Sequence, residues 1–324
     1  MTEYPTFAIT TPVLNKAAYI RETIESVINQ KGDFYIDYFV MDGESTDGTV
    51  EILREYEERV RSGEFKPRCR GLKFAWASGK DKNMYDAVNR GFARVRGDYM
   101  AYINADDVYM PWAFSVVAEI FGQYEQVEWL TSMYPMSMNE KGQSIFAPRH
   151  HGFNERAFLR GCYMPGGAWF ATHYIQQDSV FWRTSLWEKS GGELDIELKY
   201  GADFELWARF FRHSAPPVVG SQLSAFRFSD DSSVGSGQAV EQYAKESMQA
   251  LLRHGGKPSG KLYSLFRGKL AWRLFAWPVV SRVFRSLMIR LGVLDPVLVI
   301  HQRGNEGRWV MEEKILLDAR LTYV

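Results

Sequence analysis

The sequence predicts an α/β protein built on a doubly wound, mostly parallel sheet. Short β-branched and aromatic runs alternate with amphipathic helical runs from Phe7 to Ile103. Each apolar run stops at a cluster of turn and cap residues. No internal repeat or low-complexity segment competes with that pattern. Right-handed crossovers would place helices on both faces and all the strand ends on one rim, where ligands of such sheets bind.

The first strand is expected over Phe7–Thr11, ending at Pro12. Asn15 is read as the cap of a helix whose apolar residues, Ile20, Ile24, Val27 and Ile28, recur at helical spacing. Tyr35–Met41 is the second strand and stops at Asp42-Gly43. The turn chemistry of Glu44–Thr49 then opens a helix through Tyr56. Leu72, Phe74 and Trp76 alternate as a third strand does, and Met84, Ala87, Val88, Phe92 and Val95 return to helical spacing. Tyr99–Ile103 reads as a buried strand that stops at Asn104, Asp106 and Asp107, with Pro111 in the first turn of the next helix.

This topology gathers acids. Asp42, the pair Asp81 and Asp86, and the pair Asp106 and Asp107 all follow strands, so one rim receives them. Adjacent carboxylates repel each other unless a cation or hydrogen-bond donors share them. Helix capping is the alternative for Asp106 and Asp107.

Composition narrows the class. Hydrophobic residues at 46% and aromatic ones at 15% are ample for a core, and a formal net charge of zero gives no reason to expect a nucleic-acid partner. Cys69 and Cys162 form no metal or disulfide pattern and suit a reducing compartment. The first residues lack a basic leader, and no apolar run reaches the ~18 residues of a spanning helix. The expectation is a soluble or surface-attached cytoplasmic protein.

The segments TPVLNKAAYIRETIESVINQ, FVMDGESTDGTVEIL, SGKDKNMYDAVNRGF, GDYMAYINADDVYMP, QQDSVFWRTSLWEKSGG and GADFELWARF occur in this order over roughly residues 6–228. Together they resemble the family-2 inverting glycosyltransferases of the GT-A, Rossmann-like fold. The resemblance implies that Asp42 recognises the base of a nucleotide-sugar, that Thr11 and Pro12 line the same pocket, and that Asp81 lies near the nucleoside. The family's Asp-x-Asp motif falls on Asn104, Ala105 and Asp106, so the first acid is an amide here. Asp106, with Asp107 beside it, is then the expected ligand of Mg²⁺ or Mn²⁺. Such ions need only one or two protein carboxylates when phosphates and water complete the shell. A Glu-Asp pair opens a later helix in the family. Asp203 matches its general-base aspartate, and Ala202 replaces the Glu. Read from the residues alone, Asp203 is equally well a helix cap, and Glu205 is the nearest rival base. Gln176, Gln177 and Asp178 are second-rank candidates near the sugar. Trp169, Phe170 and Trp182 are read as core or as a wall for a sugar ring.

The implied activity is transfer of a sugar from a nucleotide-diphosphate donor, a UDP-sugar favoured, to a glycan or lipid-linked hydroxyl acceptor in bacterial surface polysaccharide synthesis. A catalytically inactive relative that binds nucleotide or glycan is the alternative. A nucleotidyltransferase is disfavoured because TTPVLNKAAYI lacks a glycine-rich phosphate loop. The catalytic domain is expected over residues 1–235, its donor half over 1–110 and its acceptor half over 111–235. A mainly helical extension is expected over 236–324. Ser229–Gly237 reads as a polar loop. Residues 247–294 contain no acid, and their Lys and Arg interleave with Trp272, Phe275, Trp277 and Phe284. That composition suits either an anionic membrane surface at the inner face of the cell membrane or a helical hairpin packed on the catalytic domain.

Overall fold

Residues 3–165, 174–228, 237–258, 296–303 and 307–315 are described by the computed structural model. Within them Thr6–Val13 (β1), Gly32–Asp42 (β2), Cys69–Ser78 (β3) and Tyr99–Tyr102 (β4) lie parallel in the order β4-β1-β2-β3. Ile20–Ile28 (α1), Thr49–Arg61 (α2) and Met84–Phe92 (α3) connect them. The alternating pattern therefore forms the expected elements, with strand pairing reaching beyond the apolar runs. β1 even carries Pro12 inside it. Thr10 accepts the Ile103 N–H, so alternation turns Pro12 to the same flank, where β4 has already ended and no N–H is needed.

The chain continues through Val108–Tyr109 (β5), Ala113–Gln123 (α4), Trp129–Ser132 (β6), Met136–Met138 (β7), Ser144–Phe146 (β8) and Glu155–Leu159 (α5). Phe181–Arg183 (β9), Thr184–Lys189 (α6), Ala202–Phe211 (α7), Val218–Val219 (β10), Ser224–Arg227 (β11) and Gly237–Arg253 (α8) follow. Pro296–Arg303 (β12) and Arg308–Ile315 (β13) end the described chain. The large sheet runs β13-β12-β10-β6-β9-β4-β1-β2-β3, with β9 antiparallel to both its neighbours. A small sheet, β5-β11-β7-β8, stands beside it.

Side-chain alternation divides the core into two layers. Phe7, Ile9, Tyr38, Val40, Tyr99 and Ala101 face α1, α2 and α4. Ala8, Phe39, Met41, Met100 and Tyr102 face α3 and α5–α7. Gly91 lets α3 close on β1, since a Cβ there would lie 1.8 Å from Thr10 Oγ1.

Several expectations are corrected. Asn15 caps nothing: it has φ 52° and accepts the Thr46 N–H, while α1 begins after Tyr19. The segment after Asp107 does not enter a helix at once. It first pairs as β5 with Ser224–Ala225, and α4 begins past Pro111. Asp106 and Asp107 therefore do not cap that helix. Trp182 is fully buried among Phe92, Trp187 and Trp207, so it is core and not a sugar wall. Trp169 and Phe170 lie outside the described residues. So do the loop at 229–236 and most of the acid-free run, at 259–294. The strands β12 and β13 were not anticipated. β12 pairs with β10, so part of the extension belongs to the main sheet.

Candidate active site

Two acidic groups sit at strand ends on one rim, with β1 between them. The first is built on β2 and β3. Asp42 is fully buried and accepts the Ser78 hydroxyl at 2.5 Å and the Ser45 N–H at 3.2 Å. Asp81 is close by: a Cβ on Gly43 would fall 2.8 Å from its Oδ2. Burial, then Asp86, and more weakly Asp42 and Glu44 push the Asp81 carboxyl upward against the pull of Arg90. Asp86 accepts the Lys82 N–H in the turn that Asn83 caps. Thr11 is at the edge of this group, but its hydroxyl is buried against Tyr38 at 2.9 Å.

The second group follows β4. Lys16 Nζ stands 2.9 Å from Asp106 Oδ2. Asp107 is fully buried, with Oδ1 accepting the Arg227 N–H at 2.8 Å and Oδ2 the Asn104 amide at 3.2 Å. Burial, then Asp106 and Asp178, raise the Asp107 carboxyl well above the usual range. Of the pair, only Asp106 offers its carboxylate to a cation on the rim; both Asp107 oxygens are committed inside.

The turn holding these acids is fixed from two sides. On α1 and just beyond it, Thr23 donates to the Asp107 carbonyl, Ser26 accepts the Tyr109 N–H, and Gln30 donates to the Met110 carbonyl. Helical spacing puts these three polar residues on one face. From β11, Arg227 donates through Nε to the Asp106 carbonyl at 2.8 Å and through Nη1 to the Glu140 carbonyl, and pairs with Glu22. Arg227 is 1% exposed. Sequence reasoning missed it because nothing local distinguishes a buried arginine from a surface one.

Among the described residues no group of three or more His, Cys, Asp or Glu is placed to hold a metal ion. The Asn104 Oδ1 atom, however, is buried without a partner beside Asp106. An amide oxygen and one carboxylate are a sparse but suitable oxygen donor set for Mg²⁺ or Mn²⁺. The chemistry of the donors fits.

Asp203 belongs to the same rim. α3 begins there, and the Tyr85 hydroxyl in its first turn donates to the Tyr200 carbonyl at 2.6 Å, just before α7. Asp203 is not the cap, which is Gly201. Its Oδ1 accepts the Phe204 N–H at 2.7 Å and its Oδ2 the Tyr243 hydroxyl at 2.9 Å. Burial pushes its carboxyl up to about 6 in spite of those donors. Glu205 is held by Arg209 and His254. Burial opposes its ionisation, but those two partners outweigh it and keep the carboxyl low.

Gln177 donates to the Tyr102 carbonyl at 2.7 Å, and Gln176 to Asp178 at 2.9 Å. Asp178 is buried and pushed up to about 6 by that burial. Tyr102 lies between the two regions: besides burial and Tyr85, both Asp203 and Asp178 oppose its ionisation.

Comparison with known proteins bears on the family and the fold. An uncharacterized glycosyltransferase of Rickettsia prowazekii is 24% identical over 65% of this chain and 60% of its own length. A PGL/p-HBAD biosynthesis glycosyltransferase of Mycobacterium bovis is 32% identical over 37% of this chain and 43% of its own. The chain thus spans about 60% of the first of these relatives, and less of the second. The crystal structure of S. aureus TarS 1-349 with UDP-GlcNAc superposes with a TM-score of 0.55 at 15% identity, over 77% of this chain and 66% of that one. That likeness is one of fold. Residues 8–175 match the family model for glycosyl transferase family 2, and the chain belongs to that family.

Proposed function

We propose that this glycosyltransferase moves a sugar from a nucleotide-diphosphate donor, a UDP-sugar being favoured, to a hydroxyl acceptor with inversion. The observation that carries the reading is the Asp203 carboxyl, pushed up to about 6 on the rim that also holds Asp106. A base poised near neutrality is the most effective proton acceptor. The UDP-GlcNAc seen in TarS supports the donor class.

Asp42 and Asp81 are assigned to the nucleoside, with the β1 end at Thr11 and Pro12 beside them. Asn104, Ala105 and Asp106 face the diphosphate. A Mg²⁺ or Mn²⁺ held by Asp106 and the Asn104 amide oxygen would neutralise charge on the diphosphate leaving group. Asp107 supports the turn that presents those donors. Asp203 takes the proton as the acceptor oxygen bonds to the anomeric carbon and the nucleoside diphosphate departs with its electron pair. A single displacement of this kind inverts the configuration.

The acceptor is assigned to a glycan or lipid-linked glycan of surface polysaccharide synthesis, with 1–235 as the catalytic domain. The basic, aromatic run at 247–294 supports attachment to an anionic membrane surface on the cytoplasmic side. No helix among the described residues is long and apolar enough to cross a membrane. An inactive nucleotide-binding relative is the second reading, favoured by Asn104, Ala202 and the Lys16–Asp106 pair. Thermal shift with a panel of nucleotide-sugars and Mn²⁺, followed by donor hydrolysis, separates the two. Stabilisation with turnover supports the enzyme, and stabilisation without any turnover supports the binding module.

A further inference from the structure

Besides the Tyr85 contact from α3, the opening of α7 is held by one face of α8. Tyr243 donates to Asp203 Oδ2 at 2.9 Å. One turn on, Glu246 Oε2 accepts the N–H groups of Lys199, Tyr200 and Gly201 at 3.1, 2.8 and 2.9 Å. Past the end of α8, His254 pairs with Glu205 at 2.8 Å. These positions recur at helical spacing and lie on one side. Gly201 allows the approach, because a Cβ there would meet Glu246 Cβ at 2.9 Å.

This arrangement constrains Asp203. A carboxylate on a helix can rotate unless both oxygens are held, and here one is fixed by the Phe204 N–H and the other by Tyr243. Asp203 is buried, with 9% of its surface left exposed. The ionisable groups around it are Tyr85 from α3, Tyr102 from β4, and Tyr243 and Glu246 from α8. Of these, Tyr243 alone donates a hydrogen bond to the carboxylate.

We propose that Tyr243 is a positioning residue for the transfer reaction. Its hydroxyl, carried on a helix outside the residues matched by the family model, holds the Asp203 carboxylate in the orientation and charge state a base requires. The proposal rests on the reading of Asp203 as that base. Glu246 acts one step further back, by ordering the three amides that lead into α7. A carboxylate from α8 thus anchors the chain just before Ala202, where α7 begins.

The test uses the full chain labelled with ¹³C-aspartate, the Asp203 signal being assigned by its loss in Asp203→Asn. Tyr243→Phe keeps the ring and removes the donor to the charged form. Its Asp203 midpoint should rise by about 1–2 pH, the range given by one hydrogen bond to a charged group. Fluorinated tyrosine at 243, a stronger donor, should move it the opposite way and covers the case of a poorly folded Phe variant. With a donor found by thermal shift, the acid limb of kcat/KM should follow the same midpoint. An unchanged midpoint in both variants overturns the proposal. A midpoint that moves while the acid limb stays put overturns the reading of Asp203 as base, and with it the part Tyr243 plays in the reaction.

Discussion

Lys16 Nζ stands 2.9 Å from Asp106 Oδ2, so an ammonium occupies the carboxylate assigned to a divalent ion. The ion and the lysine compete for the same oxygen. Lys16→Met should therefore tighten Mn²⁺ binding to the nucleotide-free protein, by about fivefold if the pair contributes about 1 kcal/mol. Isothermal titration with Mn²⁺ measures it; weaker binding in the variant would show that Lys16 helps to form the site.

Asp106→Ala should abolish transfer, and chelation of divalent ions should do the same to the intact protein. Asn104→Asp is the finer variant. It puts a carboxylate where the Asn104 amide oxygen now has no partner, so Mn²⁺ affinity should rise and turnover should persist. Full activity of Asp106→Ala in EDTA would remove the metal from the mechanism.

Asp203→Asn is nearly isosteric. Nucleotide affinity should survive while transfer falls by about 10²–10⁴. Titration with UDP and a transfer assay with the donor identified by thermal shift separate the two effects. Retained transfer in the folded variant would reassign the base.

The same variant bears on stability. The folded Asp203 carboxyl titrates near about 6 against an ordinary 3.8, so the folded state holds this proton more tightly than the unfolded one. Its contribution to stability is therefore greatest below pH ~4, falls as pH rises toward ~6 and stays low above. Asp203→Asn should be the more stable protein at pH 7, by about 1–3 kcal/mol, and should lose that advantage at pH 4. Denaturant midpoints at the two pH values check it.

Arg227→Met should destabilise by about 2–4 kcal/mol, because it leaves three part-buried carbonyls without their donor. The carbonyls concerned are those of Asp106, Asn139 and Glu140. The loss of nucleotide-sugar turnover should exceed what the unfolded fraction explains, since the turn carrying Asp106 is released. Urea unfolding and turnover measured on one preparation make the comparison.

Periodicity along the chain was enough to recognise β1 through β4, their helices and the rim where Asp42, Asp81 and Asp106 end up. Those elements are local: a period of two or of 3.6 and the turn residues between them act within a few positions. The motif order also made the family legible, and it directed attention to Asp203. What the chain could not declare by itself were relationships between distant residues. Tyr243 and Arg227 look ordinary in sequence, and they acquire meaning only when α8 and β11 bring them to Asp203 and to the Asp106–Asp107 turn. The opposite environments of Asp106 and Asp107 are likewise a tertiary result, since neighbours in sequence can differ completely in burial once a turn is folded. β12 joined the main sheet by pairing with β10, about 80 residues away, and β13 by pairing with β12, a choice made by an open sheet edge and not by local propensity. Local sequence determined β1 to β4, the helices between them and their order; desolvation and long-range hydrogen bonding decided which carboxylates stayed available for chemistry.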